Sequence, residues 1–487
     1  MLQTIDNQFC SLDYSSIGTY YLIIEQTLLT MNKNIFAIIA LFGFISCAKS
    51  RATSPTVTPP AVVSPVQYGI PFTGVPDRQD ANIYQVNIRP FSQAGDLAGV
   101  IGKLDAIKSL GINVIYLMPI YPVGNLKSVN SPYAVQDYKA VNTAFGSLTD
   151  LRTLVDGAHS RNMSVILDWV ANHTAWDNAW TSSHKDWYLQ DGVGNIISPP
   201  GTGWNDVAQL NFNNDAMRLE MIDCMKYWIY TANIDGFRFD YADGPPVDFW
   251  IQTINSLRSI SSHKLLLMAE GNRSSNFTAG FDFNFGFNFY GQLKNIVNAN
   301  AAATLIDGLN TTEYTNATNG QQVVRYTSNH DVNGSDGTPL DLFGGRTGSM
   351  AAFVIAAYMK GVPMVYGSQE VGYPTKIVFP FTSTKINWTL NPDLTLEYKK
   401  ILDFRTSSTA IRRGSLTSYS TADVCAFTKV SNGEQVLVIA NLRNSVVNYT
   451  LTNAIANSVW TDVMNGGSKT LGATLTLQPY SYFILNK

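Results

Sequence analysis

Short runs of β-forming residues alternate with helical stretches through most of the 487-residue chain, and this alternation restricts the fold more than any other feature. Helical spacing occurs, for example, at residues 97–110, 148–161, 215–230 and 348–359. Strands that alternate with helices pair in parallel, and eight such units predict a closed (β/α)8 TIM barrel. The predicted strands are residues 83–88, 113–119, 164–169, 236–240, 265–269, 281–285, 323–327 and 363–366.

An open, doubly wound sheet is the alternative α/β arrangement. Such a sheet usually carries a glycine-rich phosphate-binding turn directly after its first strand. The chain has Ile88-Arg89-Pro90-Phe91 at that place, which is no such turn. The closed barrel is therefore favoured.

The pattern changes near residue 410, where helical spacing gives way to short strands separated by Gly, Asn and Ser turns. Strands without intervening helices predict an antiparallel β-sandwich at residues 411–487. The barrel domain is then expected at 78–410, with a short insertion at 174–213 after its third strand. The predicted sandwich strands are residues 424–430, 434–442, 446–451, 458–462 and 481–485.

Residues 1–46 are expected to comprise an upstream extension and a lipoprotein signal peptide that begins at Met31. An apolar stretch at 35–45 follows Met31-Asn32-Lys33, and it is shorter than the about 20 apolar residues of a membrane-spanning helix. Phe44-Ile45-Ser46-Cys47 resembles a relaxed bacterial lipobox, in which Cys47 is lipidated. An ordinary signal peptide followed by an incidental cysteine is the alternative. Residues before Met31 do not fit this layout, and we expect translation to begin there.

Residues 47–77 follow as a lipidated cysteine and a Pro/Ser/Thr-rich tether without periodicity. This organisation predicts a protein of the cell envelope, in the periplasm or at the outer membrane, that contacts the membrane only through its lipid anchor. Cys224 and Cys425 lie in different segments, so a disulfide framework is not expected despite export.

Charge and composition limit the classes of ligand that the chain is expected to bind. Lys and Arg number 33 against 36 Asp and Glu, a net charge of −3, so no nucleic-acid partner is expected. Charged residues make up only 14% of the chain and aromatic residues 12%. Aromatic faces with few charges suit neutral, hydroxyl-rich ligands such as sugars, although large hydrophobic cores also use aromatic residues.

Polar residues follow four of the predicted strands at the point where each strand ends. The carboxyl ends of barrel strands converge on one mouth, which is where this fold places its chemistry. A single residue of this kind is more often a buried, hydrogen-bonded group, but four strand ends together predict a site. The residues concerned are Asp168 with Asn172 and His173, Arg238 with Asp240, Glu270, and Asn329 with His330 and Asp331.

The carboxylates are expected to differ in protonation. Arg238 and Asp240 are two residues apart on a strand and point to the same face, so the guanidinium should keep Asp240 ionised. Glu270 is then left as the protonated acid. An acid and an ionised carboxylate suit glycoside hydrolysis, with retention or inversion left open by the sequence spacing.

Four ordered segments resemble those of the α-amylase family, glycoside hydrolase family 13, and with the lipobox they indicate a bacterial lipoprotein member. The resemblance runs from about residue 78 to the C-terminus, and the four-segment match is highly specific. The segments are Val165-Ile166-Leu167-Asp168-Trp169-Val170-Ala171-Asn172-His173, Asp235-Gly236-Phe237-Arg238-Phe239-Asp240, Met268-Ala269-Glu270-Gly271 and Thr327-Ser328-Asn329-His330-Asp331.

The resemblance implies a retaining α-glycosidase. Asp240 would be the nucleophile, Glu270 the acid/base and Asp331 the third carboxylate, which holds sugar hydroxyls. The substrate-binding residues would include Arg238, His173, His330 and Asp168. Tyr133, in a loop similar to one of the family, would stack on the sugar, with a surface turn as the alternative.

Two features depart from the family. The lysine-histidine pair that many α-amylases carry after the nucleophile is replaced by Tyr241-Ala242-Asp243. Asn172 matches a calcium ligand of many relatives, but Gln209 stands where an Asp is common, and hard cations prefer several oxygen ligands. The resemblance implies no cofactor for the chemistry and leaves a structural calcium open.

Together these features predict a monomeric enzyme that hydrolyses α-1,4-glucosidic bonds in starch-like glucans or maltooligosaccharides by double displacement. The alternatives are an exo-acting α-glucosidase or an α-glucan transglycosylase on the same scaffold, and a non-catalytic glucan-binding lipoprotein. The insertion holds four tryptophans, for which sugar stacking and packing are equally expected: Trp176, Trp180, Trp187 and Trp204.

Overall fold

Residues 65–487 are described by the structure, a computed structural model, and they contain a closed barrel of eight parallel strands. Each strand pairs with its neighbours in the chain, and the eighth pairs with the first. The predicted TIM barrel is confirmed, with all eight predicted strands present. The barrel strands, labelled β1 to β8, are Ile83–Val86, Val114–Leu117, Ser164–Trp169, Gly236–Phe239, Leu266–Ala269, Phe283–Phe285, Gln322–Tyr326 and Val362–Tyr366.

All eight barrel strands are buried along their whole length. One face of each strand lines the barrel interior and the other packs against helices, so the strands are near-continuous apolar runs. The few polar residues inside these runs, such as Gln85, Asp168 and Arg238, must therefore find partners within the protein.

Helices connect the strands around the outside of the barrel. The expected helix at 97–110 is broken in two at Gly102 and Lys103. The α-helices from the barrel to the end of its last connection are Ile88–Phe91, Leu97–Ile101, Leu104–Ser109, Leu148–His159, Asp215–Ala232, Val247–Arg258, Ser275–Ala279, Phe287–Asn298, Leu309–Thr312, His330–Ser335, Pro339–Leu342, Gly345–Tyr358, Pro392–Ser407 and Thr409–Arg413. Short 3-10 turns lie at Arg78–Asp80, Ala303–Ile306 and Gln369–Val371.

Local sequence explains where the longer helices begin and end. The Ser147 side chain accepts from the Asp150 backbone N–H, and the Asp150 carboxylate accepts from the Ser147 backbone N–H, which forms a capping box at the helix Leu148–His159. Asn214 caps the helix Asp215–Ala232, which ends at Asn233 in the left-handed conformation. These caps satisfy backbone groups that the helix itself leaves unpaired.

The insertion after β3 is a small subdomain, called domain B here. It contains an antiparallel ribbon of His173–Ala175 with Val207–Gln209, a one-turn helix Trp180–Ser183 and a 3-10 turn Lys185–Trp187. The ribbon begins four residues after the end of β3, so domain B rises directly from the barrel mouth.

The C-terminal part is an antiparallel β domain, as the sequence predicted. Its sheet has six strands and a separate strand pair covers it. In spatial order the sheet strands are Ser415–Ser418, Val424–Ser431, Glu434–Asn441, Tyr482–Asn486, Ser458–Asp462 and Ser468–Leu471, and the pair is Val447–Thr450 with Thr474–Leu477.

Both faces of the central C-terminal strands are buried, which explains their long apolar runs. Phe427 and Val438 belong to the same hydrophobic cluster as the barrel core, whereas Ala426, Leu437 and Ile439 pack in a second cluster beneath the strand pair. Successive side chains of a strand point to opposite faces, so alternate residues fasten the sheet to the barrel and to its own cover.

The amino-terminal edge of the folded part differs from the sequence expectation. Residues 65–77, assigned to the tether, lie against the barrel: the Tyr68 N–H donates to the Tyr230 carbonyl over 2.7 Å, and Asn233 donates to the Ile70 carbonyl over 2.9 Å. Phe72 stacks on His159 at 4.2 Å. The signal peptide and Cys47 lie outside the described residues.

Among the described residues, no helix combines the length and apolar character needed to cross a membrane. Cys224 and Cys425, the cysteines in this part of the chain, are both buried and free.

Candidate active site

Three carboxylates follow the carboxyl ends of three barrel strands and border one cavity. Asp240 comes directly after β4, Glu270 directly after β5, and Asp331 lies in the first turn of the helix that follows β7. Asn329 caps that helix by accepting from the N–H groups of Asp331 and Val332. The three carboxylates predicted from the sequence therefore lie together at the barrel mouth, where the carboxyl ends of the strands converge.

Arg238 is the centre of the charged network. Its Nη1 donates to Asp168 Oδ1 over 2.6 Å and to Asp240 Oδ1 over 3.0 Å, and its Nη2 forms an ion pair with Glu270. The register of the barrel explains this, because Arg238 in β4 lies directly beside Asp168 in β3. Arg238 and Asp168 are fully buried, so neither charge is compensated by water.

Arg238 is shared among several carboxylates, which differs from the expectation that its guanidinium keeps Asp240 ionised. Burial raises the pKa of Asp240 well above its ordinary value, Arg238 lowers it in part, and the charges of Glu270 and Asp168 raise it further. The pKa of Asp240 is thus raised, first because burial disfavours the charged form and then because one guanidinium faces several carboxylates. Arginine contact by itself therefore does not separate the nucleophile from the acid.

A layer of hydroxyl and imidazole groups holds Asp168 from the other side. The Tyr116 hydroxyl donates to Asp168 Oδ2 over 2.7 Å and the Tyr133 hydroxyl over 3.2 Å. The Tyr133 hydroxyl also lies 2.7 Å from His330 Nε2, and Gln85 Nε2 lies 2.7 Å from His330 Nδ1. Tyr133 and His330 are stacked, with ring centroids 5.6 Å apart.

Gln85 and Tyr116 were missed by the sequence reasoning. Both are buried and carry polar groups near the carboxyl ends of β1 and β2. The convergence of strand ends that predicted the carboxylates therefore applies to them as well. Their apolar neighbours in the sequence gave them the appearance of ordinary core residues.

The two predicted histidines both line the cavity. Burial lowers the pKa of His173 to about 4, and burial together with the Arg238 charge lowers that of His330 to about 4. Both imidazoles are therefore neutral near pH 7, as groups that exchange hydrogen bonds with hydroxyls should be.

The cavity has a volume of about 1050 Å³ and opens at the barrel mouth. Volumes of about 300–1000 Å³ are typical of small-molecule sites, so this cavity has room for more than one sugar unit. Aromatic side chains form much of its rim: Tyr133, Trp204, Tyr241, Phe287, Phe379 and Phe381.

The four tryptophans of domain B differ in their surroundings. Trp180 and Trp187 pack edge-to-face at 5.2 Å; Trp187 is buried in the hydrophobic cluster of the barrel, and Trp180 packs against this cluster while partly buried. Trp204 is 36% exposed, lines the cavity and packs edge-to-face on Tyr241 at 5.0 Å. Trp176 lies under Lys127, whose Nζ is 3.4 Å from the ring centroid.

The predicted calcium ligand Asn172 is buried and hydrogen-bonded to another side chain. Asn172 Nδ2 donates to Gln209 Oε1 over 3.0 Å, while Gln209 Nε2 points back at the Asn172 carbonyl over 3.0 Å. Calcium is bound by oxygen ligands, usually including carboxylates, and here an amide nitrogen stands among the oxygens instead. These residues do not fit a calcium ion.

Glu270, His330 and Asp331 also have donor atoms within 4.8 Å of one another. Arg238 forms an ion pair with Glu270, and its positive charge opposes a cation at that point. Glu270, His330 and Asp331 lie close together because they belong to the network of carboxylates, tyrosine and histidine that surrounds the cavity.

A (β/α)8 barrel whose mouth holds paired carboxylates, in a cavity with room for more than one sugar unit, has the architecture of a glycoside hydrolase. A family model described as the alpha-amylase catalytic domain matches residues 74–391, and one described as the alpha-amylase SusG C-terminal domain matches residues 424–484. The chain belongs to the α-amylase family of glycoside hydrolases.

Individual proteins and one solved structure are similar to this chain. "Alpha-amylase 3" of Dictyoglomus thermophilum is 25% identical over 482 residues, which cover 84% of this chain and 93% of that protein. A "Probable oligo-1,6-glucosidase 2" of Bacillus subtilis is 32% identical over 200 residues, 33% of this chain and 34% of that protein. The crystal structure of an alpha-amylase from Lactobacillus plantarum has a TM-score of 0.75 at 23% identity, covering 84% of this chain and 99% of that one.

Proposed function

We propose that this glycoside hydrolase cleaves α-1,4-glucosidic bonds in starch-like glucans or maltooligosaccharides with retention of configuration. The observation that carries the proposal is the convergence of Asp240, Glu270 and Asp331 on a cavity larger than one sugar. Asp240 and Glu270 contact the same guanidinium group, which supports the separation of about 5 Å that retaining enzymes need.

The proposed reaction is a double displacement. Glu270 donates its proton to the glycosidic oxygen while an Asp240 carboxylate oxygen attacks the anomeric carbon, which forms a glycosyl ester and releases the leaving sugar. Glu270, now ionised, takes a proton from water as that water attacks the anomeric carbon. The ester bond to Asp240 breaks, and both carboxyls return to their starting states.

The surrounding groups orient the sugar whose bond is cleaved. Tyr133 offers a ring face on which a pyranose stacks, and its hydroxyl is held by Asp168 and His330. Asp331, His330 and His173 border the same cavity and suit hydrogen bonds to sugar hydroxyls.

The leaving sugar is assigned to the side of Trp204 and Tyr241. The Tyr241 backbone N–H donates to Glu270 Oε2 over 2.8 Å, so Tyr241 lies beside the group that protonates the leaving oxygen. Trp204 and Tyr241 are both about one-third exposed. Their apolar faces are suited to the ring of an incoming or departing glucosyl unit.

Exo-acting hydrolysis and transglycosylation are the alternatives on the same machinery. Two observations support these alternatives: the partial similarity to an oligo-1,6-glucosidase, and the absence of a lysine-histidine pair after Asp240. The test must therefore distinguish them from endo-acting hydrolysis. A non-catalytic glucan-binding protein is disfavoured because all three carboxylates are retained in one cavity.

Incubation with maltoheptaose, followed by chromatography of the products over time, tests the proposal. We expect shorter maltooligosaccharides of several lengths and initial products in the α-anomeric form. Glucose as the sole early product would favour exo action, and products longer than the substrate would favour transfer. Cleavage that continues at the wild-type rate in Asp240→Asn would overturn the mechanism.

We also propose that the protein is held in the cell envelope by a lipid on Cys47. Residues 67–70, which follow the proposed tether in the sequence, lie beside Asn233, just before the start of β4.

Metabolic labelling with a radioactive fatty acid in a bacterial host tests the anchor. We expect label in the wild-type chain and in the membrane fraction, and neither in Cys47→Ser. A soluble, unlabelled wild-type protein would contradict the lipid anchor and would leave the hydrolytic mechanism untouched.

A further inference from the structure

A compact cluster of amide groups lies where domain B leaves the barrel. Gln209 Nε2 is 3.0 Å from the Asn172 carbonyl oxygen, 3.3 Å from Asn172 Oδ1 and 3.0 Å from the Leu210 carbonyl oxygen. In return, Asn172 Nδ2 donates to Gln209 Oε1 over 3.0 Å. Asn172 is 3% exposed and Gln209 is 9% exposed, so the cluster is shielded from water.

Three oxygen atoms thus converge on one neutral nitrogen. Converging carbonyl and amide oxygens are the usual ligands of a hard cation, which would normally be accompanied by a carboxylate. Here a neutral –NH2 group fills the centre and shares its two hydrogens among the three oxygens, without a net charge to bury. A cation could enter only if this nitrogen moved away.

The position of the cluster gives it a mechanical role. Gln209 pairs with His173 across the antiparallel ribbon, and Asn172 directly follows the segment that leaves β3. The two side chains therefore tie the last strand of domain B to its first residues at the barrel mouth. Without such a tie, the ribbon would be held by few backbone hydrogen bonds.

We propose that Gln209 replaces a structural cation in this protein, so that the Asn172–Gln209 amide pair fastens domain B to the barrel without metal. The same pair orients a residue of the cavity: Asn172 Nδ2 lies 3.2 Å from His173 Nδ1. Gln209 is thereby a positioning residue for His173. The part that concerns His173 rests on the proposed function, whereas the metal-free attachment does not.

Thermal unfolding of the wild-type protein is the first test. The protein is melted after treatment with excess EDTA and again with excess calcium, and circular dichroism follows the transition. We expect the same melting temperature in both conditions. A melting temperature that falls in EDTA and returns with calcium would overturn the proposal.

The second test converts the cluster into a cation site. Gln209→Asp places a carboxylate among three oxygens, so their mutual repulsion should lower the melting temperature in EDTA by several degrees. Calcium should restore it, because the carboxylate and the three oxygens then form a ligand set. Gln190→Asp makes the same change at an exposed position of domain B and should gain no response to calcium.

Enzyme kinetics separate the positioning role from stability. At a temperature where Gln209→Asp remains folded, kcat for maltoheptaose should fall in EDTA and recover with calcium, with a smaller change in KM. A Gln209→Asp protein whose stability and kcat both ignore calcium would contradict the proposal. Because the melting experiments need no substrate, their outcome stands even if the protein cleaves a different bond.

Discussion

Buried carboxylates have opposite charge surroundings at the two ends of the barrel. At the mouth, Asp168, Asp240 and Glu270 share the single guanidinium of Arg238. At the other end, Asp282 precedes β6 and receives the guanidinium groups of both Arg258 and Arg78, with Arg78 Nη2 at 3.0 Å.

Backbone groups accentuate the difference. Asp282 Oδ2 accepts from the Leu267 N–H over 2.8 Å, so this carboxylate joins β5 to β6 as well as neutralising two cations. Asp235, just before β4, accepts from the Val165 N–H over 2.7 Å and lies 2.8 Å from His159 Nε2. These carboxylates are placed where the strands begin, and they serve to connect adjacent strands.

The comparison separates stability from function in physical terms. Two guanidinium groups pair with Asp282 and stabilise the fold. Burial, together with the charges of Glu270 and Asp168, raises the pKa of Asp240 although Arg238 lowers it in part. Perturbed carboxylates of this kind are characteristic of catalytic sites. Substitutions at the two ends should therefore have opposite effects on stability and rate.

The largest effect is expected for Asp240→Asn. Loss of the nucleophile should lower kcat/KM by about 10⁴-fold, whereas removal of one charge from the crowded mouth should raise the free energy of unfolding by about 1 kcal/mol. Steady-state kinetics and urea unfolding measure the two quantities. A variant that is both inactive and less stable would contradict the idea that the mouth holds unfavourable charge.

Asp282→Asn should show the reverse behaviour. The substitution leaves Arg258 and Arg78 without their carboxylate and should lower the free energy of unfolding. The loss should be limited to about 2 kcal/mol because both arginines are partly exposed to water. Because Asp282 lies far from the cavity, kcat/KM at a temperature where the variant is folded should change less than twofold. A large loss of rate without loss of stability would reverse the proposed roles.

The pH dependence of the rate tests the raised pKa directly. Asp240 must be ionised to attack, and its pKa is raised by burial, so its reactive form is lost as the pH falls through a value above the ordinary value of about 4. The acidic limb of kcat/KM against pH should therefore have its midpoint above 4. A midpoint at or below 4 would mean that Arg238 outweighs burial.

Much of the fold could be predicted from the sequence, because strand and helix periodicity and turn residues are local signals. The C-terminal strands Ser415–Ser418, Ser468–Leu471 and Thr474–Leu477 were not predicted, since they are short, mostly polar and largely exposed. The helix expected at 97–110 breaks at Gly102, where an apolar spacing continued across a turn. Such features depend on packing rather than on periodicity.

The identity of the cavity residues was equally accessible, because Asp240, Glu270 and His330 follow strands that converge by topology. The hydrogen-bonding and ion-pair partners of these residues could not be predicted from the sequence. The sharing of Arg238 depends on the register between β3 and β4, and the Asn172–Gln209 pair depends on the register of the domain B ribbon. Both are contacts between segments that are distant in the sequence.

The smallest effect is expected at the aromatic rim. Trp204 carries no charge, so Trp204→Ala should leave the acidic limb of the pH profile in place while it weakens the hold on the leaving sugar. Loss of one aromatic stacking partner should lower kcat/KM for maltoheptaose by about 10-fold, with a smaller loss for an aryl maltoside whose leaving group is not a sugar.

Trp204→Phe is the matched control, since it keeps an aromatic face beside Tyr241 and should recover most of the activity toward maltoheptaose. Equal losses for both substrates would place Trp204 outside the leaving-sugar side. A shift of the acidic limb in Trp204→Ala would show that the rim contributes to the burial of Asp240, and the charge imbalance around Arg238 would then explain only part of its raised pKa.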